Sequence, residues 1–387
     1  YDRFMIGGLF TNIKMPPSRF QYFLAPMYAT GTGAFKGLGF ANYNFFTDGL
    51  FRKVTVGLAA STFTADQFTD ENDKDTYLSF YKVVPSLRLT LNQQSPRSNQ
   101  HRYIQFKSFI IGEDALRFSR DTVVNGPGDT SILNVYRTGR GQRTLNQLKL
   151  VMENNRALYP YRGELKIEQG KHFVRAGFTG NYFFNYAKDG GLKVRLFAGK
   201  FFYTGTKTIR KRFETDRYHL NMTGPNGQED YTYSDYFIGR NEFEGTASQQ
   251  IMERDGAFKV RTDLLADKVG KTDDWLMALN FSSSIPDKIN PLSLLPIRIP
   301  LKIFADVGTQ AGAWEKNSTE DRFLFDIGLQ IPLLKETVNI YIPLFYSNVY
   351  KEYIQSTIPE KKFWKTISFS IDISNFSFRK LNRNLAD

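Results

Sequence analysis

Apolar and polar positions alternate with a period of two through most of this chain, and helical periodicity is almost absent. The clearest run is Ile297 to Val307. Ile297, Ile299, Leu301, Ile303, Ala305 and Val307 are apolar, with Arg298, Lys302 and Asp306 standing between them. Successive strand side chains point to opposite faces, so this run has one oily face and one largely charged face. Thr366 to Asn375 repeats the pattern, with Ile367, Phe369, Ile371 and Ile373 set against Ser368, Ser370, Asp372 and Ser374. Leu192, Val194 and Leu196 are set against Lys193 and Arg195; Phe325, Ile327 and Leu329 are set against Asp326, Gly328 and Gln330. The pattern predicts fifteen strands: 2–12, 20–30, 34–46, 51–66, 76–92, 101–113, 146–157, 161–171, 173–187, 190–205, 274–286, 294–311, 322–333, 337–347 and 364–376.

These runs hold their alternation over roughly 9–11 residues, the length at which a tilted strand crosses a bilayer. Aromatics gather at strand ends, as at Phe45–Phe46, Phe183–Phe184, Phe345–Tyr346 and Phe363–Trp364. That is the placement of interfacial girdles. Composition agrees: 35 Phe and 21 Tyr among 387 residues. No run approaches the roughly 18 apolar residues of a membrane-crossing helix, which excludes a helical membrane protein. A large soluble sandwich also alternates, but it needs neither strands of this length nor girdles. Inside lipid only a closed barrel satisfies strand backbone groups. The expectation is an all-β fold, a transmembrane antiparallel β-barrel, as one domain over 1–387 in the bacterial outer membrane. Single-chain bacterial barrels have even strand numbers. Sixteen strands are therefore expected, the missing one inside 206–270 or upstream of Tyr1. The chain opens at Tyr1 in strand-like sequence, without Met or a leader pattern, so it reads as a piece of something longer.

The connections sort by length. With the C-terminal end of the last strand placed in the periplasm, one alternate set is 13–19, 47–50, 93–100, 158–160, 188–189, 287–293 and 334–336. All are short and carry turn chemistry such as Asp48-Gly49, Ser95-Pro96 and Asp189-Gly190-Gly191. The other set holds 67–75, 114–145, 206–273, 312–321 and 348–363, which are long, with the hairpins near 31–33 and 172 as short exceptions. Short periplasmic turns and longer extracellular loops are the barrel rule. The longest, 206–273, has room to fold into the barrel and plug it by Arg–carboxylate pairing. Candidates for that lock are Arg240 and Arg254 on the loop, and Asp306, Asp326 and Asp372 on polar faces of late strands. A solvated surface loop is the alternative.

The net charge of +12 follows the same geography. Arg137, Arg140 and Arg143 fall in one expected outer loop, and Lys207, Arg210, Lys211 and Arg212 in another. There they would pair with lipopolysaccharide phosphates of the outer leaflet. Nucleic acid is disfavoured, because the basic residues are dispersed over loops and alternate strand faces rather than gathered in one patch among aromatics.

Tyr1-Asp2-Arg3-Phe4-Met5-Ile6-Gly7-Gly8, Phe23-Leu24-Ala25-Pro26-Met27-Tyr28, Gly191 to Lys200 and Gln249 to Lys259 resemble the C-terminal barrels of large Bacteroidota outer-membrane proteins. In that family the barrel follows a gluzincin-type, aminopeptidase-like metallopeptidase domain. The barrel is itself similar to the sixteen-stranded surface-antigen, or outer-membrane assembly, superfamily. The resemblance implies a barrel that anchors an upstream periplasmic peptidase, with zinc only in that upstream domain, and other envelope proteins as partners. The assembly superfamily carries an Arg-Gly-Phe tip on its long loop; here Arg254-Asp255-Gly256-Ala257-Phe258 is interrupted at Asp255 and Ala257.

The chain carries no peptidase chemistry of its own. A gluzincin needs His-Glu-x-x-His on one helix face, and none of His101, His172 and His219 has a His partner at that spacing. There is no Cys and no Gly-x-Ser-x-Gly. The acidic run Asp66, Asp70, Glu71, Asp73 and Asp75 lacks the Gly and terminal Glu of an EF-hand and reads as a solvated loop. No catalytic, cofactor or metal site is expected. The function expected is a membrane anchor and scaffold; a transport channel or porin, and an insertase-like assembly barrel, are the alternatives.

Overall fold

In the computed structural model the alternating runs pair edge to edge in chain order. It describes residues 1–14, 18–93, 95, 97–126, 129–186, 190–205, 218–223, 227, 230–235, 237–238, 240, 244–262, 269–294, 299–334 and 336–373, the side chains of 120–133 excepted. Sixteen strands make up the main sheet, antiparallel wherever the register is described. This agrees with the all-β, sixteen-strand expectation. Contacts divide the chain into two compact units: 1–94, 103–148 and 169–171 form one, and 95–102, 149–168 and 172–387 the other.

The first unit contains β1 (Met5–Gly7), β2 (Phe10–Thr11), β3 (Phe20–Ala29), β4 (Ala34–Phe46), β5 (Phe51–Thr69) and β6 (Asp75–Leu91), with most of β7 (Gln100–Gly126) and β8 (Asp129–Asn154). Two adjacent cross-strand rows show its chemistry. Tyr43, Val56, Leu87 and Phe106 pair in register across β4 to β7. They are 40%, 49%, 37% and 44% exposed. The next row is Asn44, Thr55, Arg88 and Gln105, on the opposite face. Thr55 donates to Asn44 at 2.8 Å, and the Arg88 guanidinium lies 3.7 Å from the Tyr103 ring centroid. The apolar row is open and the polar row lies on the other face, with Asn44 and Thr55 partnered, the reverse of a water-soluble sheet.

The second unit contains β9 (Tyr161–Gln169), β10 (Phe173–Asn185), β11 (Gly191–Tyr203), β12 (Leu220–Asn221), β13 (Lys271–Thr272), β14 (Trp275–Ser284), β15 (Lys302–Gln310), β16 (Leu324–Leu333), β17 (Val338–Tyr346) and β18 (Ser368–Ile371). Two helices, α1 (Asn348–Thr357) and α2 (Lys362–Thr366), lie between β17 and β18. Leu196, Leu279, Val307 and Phe325 pair across β11, β14, β15 and β16 on an open face. Arg195, Asn280, Asp306 and Asp326 form the adjacent row, and all four are buried. A ten-residue strand such as β14 or β16 is about 33 Å long at the usual rise, enough to cross a bilayer's hydrocarbon core.

Several boundaries differ from the sequence expectation. The stretch 114–145 is not a loop: β7 runs to Gly126 and β8 starts at Asp129. Arg137, Arg140 and Arg143 therefore sit on a strand. Cross-strand ion pairs stand in for the apolar alternation there, Arg140 with Asp114 at 2.9 Å and Arg143 with Glu113 at 2.7 Å. The strand expected at 2–12 is interrupted between β1 and β2. Gly8 donates to Pro26 O across the gap, but Pro26 has no N–H to return, so the ladder lapses. Among the described residues of the run 294–311, Lys302–Gln310 are strand and Pro291–Leu294 form a 3-10 turn; 295–298 lie outside them. Residues 362–366 are helical, and among the described residues the last strand is Ser368–Ile371; 374–376 lie outside them. Within 206–270 the described strand residues, β12, pair with β13 in a separate two-stranded sheet and add nothing to the main one.

Candidate functional site

The long connection between β11 and β14 covers the buried polar row of the second unit. Its segment Gln250 to Thr262 crosses that face with Gln250, Ile251, Phe258, Val260 and Thr262 at most 2% exposed. Asp255 and Ala257 hold left-handed backbone at φ 49° and 53°, on either side of Gly256. This unfavourable pair makes a tight turn. Gly256 donates to Asn221 O and Phe258 to Met222 O, which ties the turn to the small β12–β13 sheet. A Cβ on Gly256 would lie 2.6 Å from the Met222 Cα and carbonyl oxygen, so only glycine fits this approach.

Three groups of contacts hold the turn against the strands. At Asp255, the Arg175 guanidinium of β10 donates to Oδ1 at 2.5 Å, and both side chains are buried. Arg195 of β11 donates to the Asp255 carbonyl at 2.8 Å and to Asn280 Oδ1 at 2.8 Å. At Lys259, the backbone N–H groups of Lys259 and Val260 donate to Asp326 Oδ2 at 2.9 and 2.6 Å. The Lys259 ammonium lies 3.3 Å from Asp306 Oδ2, and Asn280 donates to Asp306 Oδ1 at 3.0 Å. At Glu253, the Tyr341 hydroxyl of β17 donates to the carboxylate, and Ser370 of β18 donates at 3.5 Å. Charge-assisted hydrogen bonds of this kind, shielded from water, are the strong ones.

A second layer braces the first. Tyr231 of the loop donates to Glu168 of β9 and accepts from Arg175 at 2.6 Å. Burial pushes the Tyr231 hydroxyl well above its ordinary range; Arg175 pulls it down, but Glu168 adds to the rise. Burial alone would raise the Glu253 carboxyl, yet Lys193, Lys259 and the Tyr341 hydrogen bond outweigh it and hold it at about 2. Glu253 is therefore an anion at neutral pH, in a polar pocket it shares with Lys193, Arg195, Lys259 and Lys302. Behind the turn, α1 packs Tyr350 against Phe258, ring centroids 6.1 Å apart, and Tyr350 donates to Val269 O at 3.1 Å.

The loop also meets the last strand. Ile251 N–H donates to Phe369 O at 2.8 Å in a parallel bridge, and Gln249 donates to the Trp364 and Ile367 carbonyls at 2.7 and 2.6 Å. Ser368 donates to Lys259 O at 2.5 Å. β18 itself pairs with β17 over only four residues, Ser368 to Ile371.

The residues singled out from sequence are distributed as follows. Asp306 and Asp326 lie side by side under the loop, a cross-strand pair, with Lys259 and backbone N–H groups as partners rather than an arginine. Arg240 stays within the loop, donating to Asp230 at 2.6 Å, and Arg254 lies 4.0 Å from Asp230 and 3.9 Å from Asp235. Asp372 is exposed beyond the end of β18, where its backbone N–H donates to Thr337 O. Arg137 is exposed on β8. Lys207, Arg210, Lys211 and Arg212 lie outside the described residues. The contacts run both ways: the loop's Lys259 meets the strand carboxylate Asp306, while the strands supply Arg175 and Arg195 to the loop's Asp255. Arg175 and Arg195 were legible as polar positions between Val174 and Ala176 and between Val194 and Leu196; nothing local marked Asp255 as their partner. Among the described residues no cluster of three His, Asp or Glu side chains is placed to hold a metal.

No family model matches the chain, and no curated protein matches it. Among solved structures it is similar to CdiB from Acinetobacter baumannii, at 10% identity and a TM-score of 0.38, over 84% of this chain and 50% of that one. It is also similar to BamA from Haemophilus ducreyi lacking POTRA domains 1–3, at 10% identity and a TM-score of 0.40, over 88% of this chain and 71% of that one. The chain thus spans half the length of the CdiB structure.

Proposed function

We propose that this chain is a β-barrel of the bacterial outer membrane, stoppered by its own loop, that serves as an anchor and scaffold. One observation carries the reading: adjacent register rows of the same strands are apolar and open on one face, polar and partnered on the other. Water would not leave the Leu196–Leu279–Val307–Phe325 row uncovered, whereas lipid requires it. The loop supports a plug rather than a porin channel. Its turn covers the polar face with charge-paired side chains, Arg175 with Asp255 and Lys259 with Asp306. The resemblance of Tyr1–Gly8 and Gln249–Lys259 to Bacteroidota peptidase-linked barrels supports an upstream periplasmic zinc peptidase as the tethered partner. Catalysis would then belong to that domain. Lipopolysaccharide contact is proposed for exposed Arg137 and for Lys207, Arg210, Lys211 and Arg212, since Arg140 and Arg143 already hold carboxylates.

A second reading, an insertase- or transporter-like barrel, is favoured by β18. Its four residues of pairing make a short edge, and the loop's contacts with that edge could be exchanged for release. Single-channel conductance in planar bilayers separates these readings. The intact chain is expected to stay closed, and deletion of 206–273 to open it. Large, steady conductance of the intact chain would overturn the plug. Brief openings that Asp255→Asn multiplies would favour the gated reading.

A further inference from the structure

The helices between β17 and β18 present a surface that the plug does not use. Their inner sides are spent on the loop: Tyr350 is 0% exposed, Ile354 and Ile358 are buried, and the Trp364 and Ile367 carbonyls accept from Gln249. The rest faces outward. Phe363 and Trp364, in edge-to-face contact at 5.6 Å, are 52% and 68% exposed, and Phe345 at the end of β17 is 66% exposed. Around them Lys351, Lys361, Lys362 and Lys365 are all exposed, against the exposed carboxylates Glu352 and Glu360. Thr366 donates to Phe363 O at 2.7 Å and Lys362 to Gln355 O at 3.3 Å, so the aromatic pair rides on a fixed turn.

Large aromatics left in water have no stabilising partner, and lysines around them would not repair that. Aromatic rings seated at the acyl boundary, with flexible ammonium groups reaching outward, suit a headgroup layer. The segment also lies at the loop end of the strands, with Trp314 and Phe323 at that same end, 6.1 Å apart. Resting on the membrane-spanning reading above, we propose that α1 and α2 form an interfacial collar. It inserts Phe363 and Trp364 among lipid headgroups and recognises net anionic headgroups through Lys351, Lys361, Lys362 and Lys365. Because Gln249 binds the carbonyls beside Trp364, the collar couples the lipid surface to the plug.

The test uses the full chain reconstituted in bilayers. The three Trp residues of the chain make sole-tryptophan versions simple. Trp275→Phe with Trp314→Phe leaves Trp364, and Trp314→Phe with Trp364→Phe leaves Trp275 on a spanning strand. Lipids brominated near the headgroup are expected to quench Trp364 more than lipids brominated near the chain end. Quenching should be about twofold stronger in phosphatidylglycerol than in phosphatidylcholine. Replacing the four lysines by Gln should abolish that difference. Trp364 unquenched while Trp275 is quenched would overturn the collar and leave the barrel standing. Equal quenching in the two lipids, or a preference surviving the Gln replacements, would overturn recognition of anionic headgroups. Neither tryptophan being quenched would overturn the membrane-spanning reading and the collar together.

Discussion

Asp255 is where strand chemistry meets loop chemistry. Its carboxylate takes Arg175 at 2.5 Å and its carbonyl takes Arg195 at 2.8 Å, with all three residues buried. Removing one partner of a buried pair costs about 3–5 kcal/mol, and here the cost sits at the low end, because Glu168 also lies 3.6 Å from Arg175 and the Asn221 N–H donates to Asp255 at 3.4 Å. Asp255→Asn and Arg175→Gln are each expected to loosen the loop by that order, with the double variant much less than additive. Denaturant titration of a double-mutant cycle, read by protease access to 249–262, checks this; strict additivity would show that the two do not act as a pair. Glu253 sets the pH response. Its folded value is about 2 against an ordinary 4.5, so its carboxylate contributes fully above about pH 4.5. That contribution is lost as pH falls toward 2. The protection factor of the Glu253 segment, with exchange rates corrected for their intrinsic pH dependence, should hold from neutral pH to about 4.5 and fall below it, and Glu253→Gln should flatten the dependence.

At the scale of elements, the turn around Gly256 and the short strand β18 depend on each other. Gly256→Val would drive a Cβ into the Met222 backbone, 2.6 Å away, with no side-chain end to swing aside. The turn is expected to lift from the strands while the β14–β17 ladder, which does not include it, persists. Loss of protection at Ile251, Phe258 and Val260, with retained protection in β14 to β16, would show this by hydrogen exchange; uniform loss would mean that the turn is needed for folding. β18 should follow the turn, because Ile251, Lys259 and Glu253 contact Phe369, Ser368 and Ser370. α1 is tied to the same turn through Tyr350 and Phe258, so its protection should fall as well.

For the whole molecule, the decisive property is which face meets lipid. Val307 lies in the open apolar row, between Leu279 and Phe325. Val307→Lys is expected to cost about 2–4 kcal/mol if that row lies near the bilayer midplane. Urea unfolding from vesicles measures it. A soluble sheet would tolerate the change within about 0.5 kcal/mol, as exposed surface positions do. Asp306 is one residue away and faces the opposite side, so Asp306→Asn should act through the loop and not through lipid, leaving the bilayer dependence unchanged.

Most strands and their facing were legible in the sequence. Alternation is a property of consecutive residues, and a strand's side-chain period is two whatever the rest of the chain does. It misread 114–145 because Asp114, Glu113, Arg140 and Arg143 stabilise strand pairing without apolar alternation. It misread 362–366 because Phe363 and Trp364 suit a strand end and a helix equally well. Only the tertiary structure decided the pairing of the lock. Arg175 and Asp255 are 80 residues apart, and Lys259 and Asp306 are 47. No local pattern relates such residues. Their meeting depends on the register of β10, β11, β14 and β15 and on a loop turn that only glycine allows, because a buried charge is stable only where the folded backbone delivers its partner.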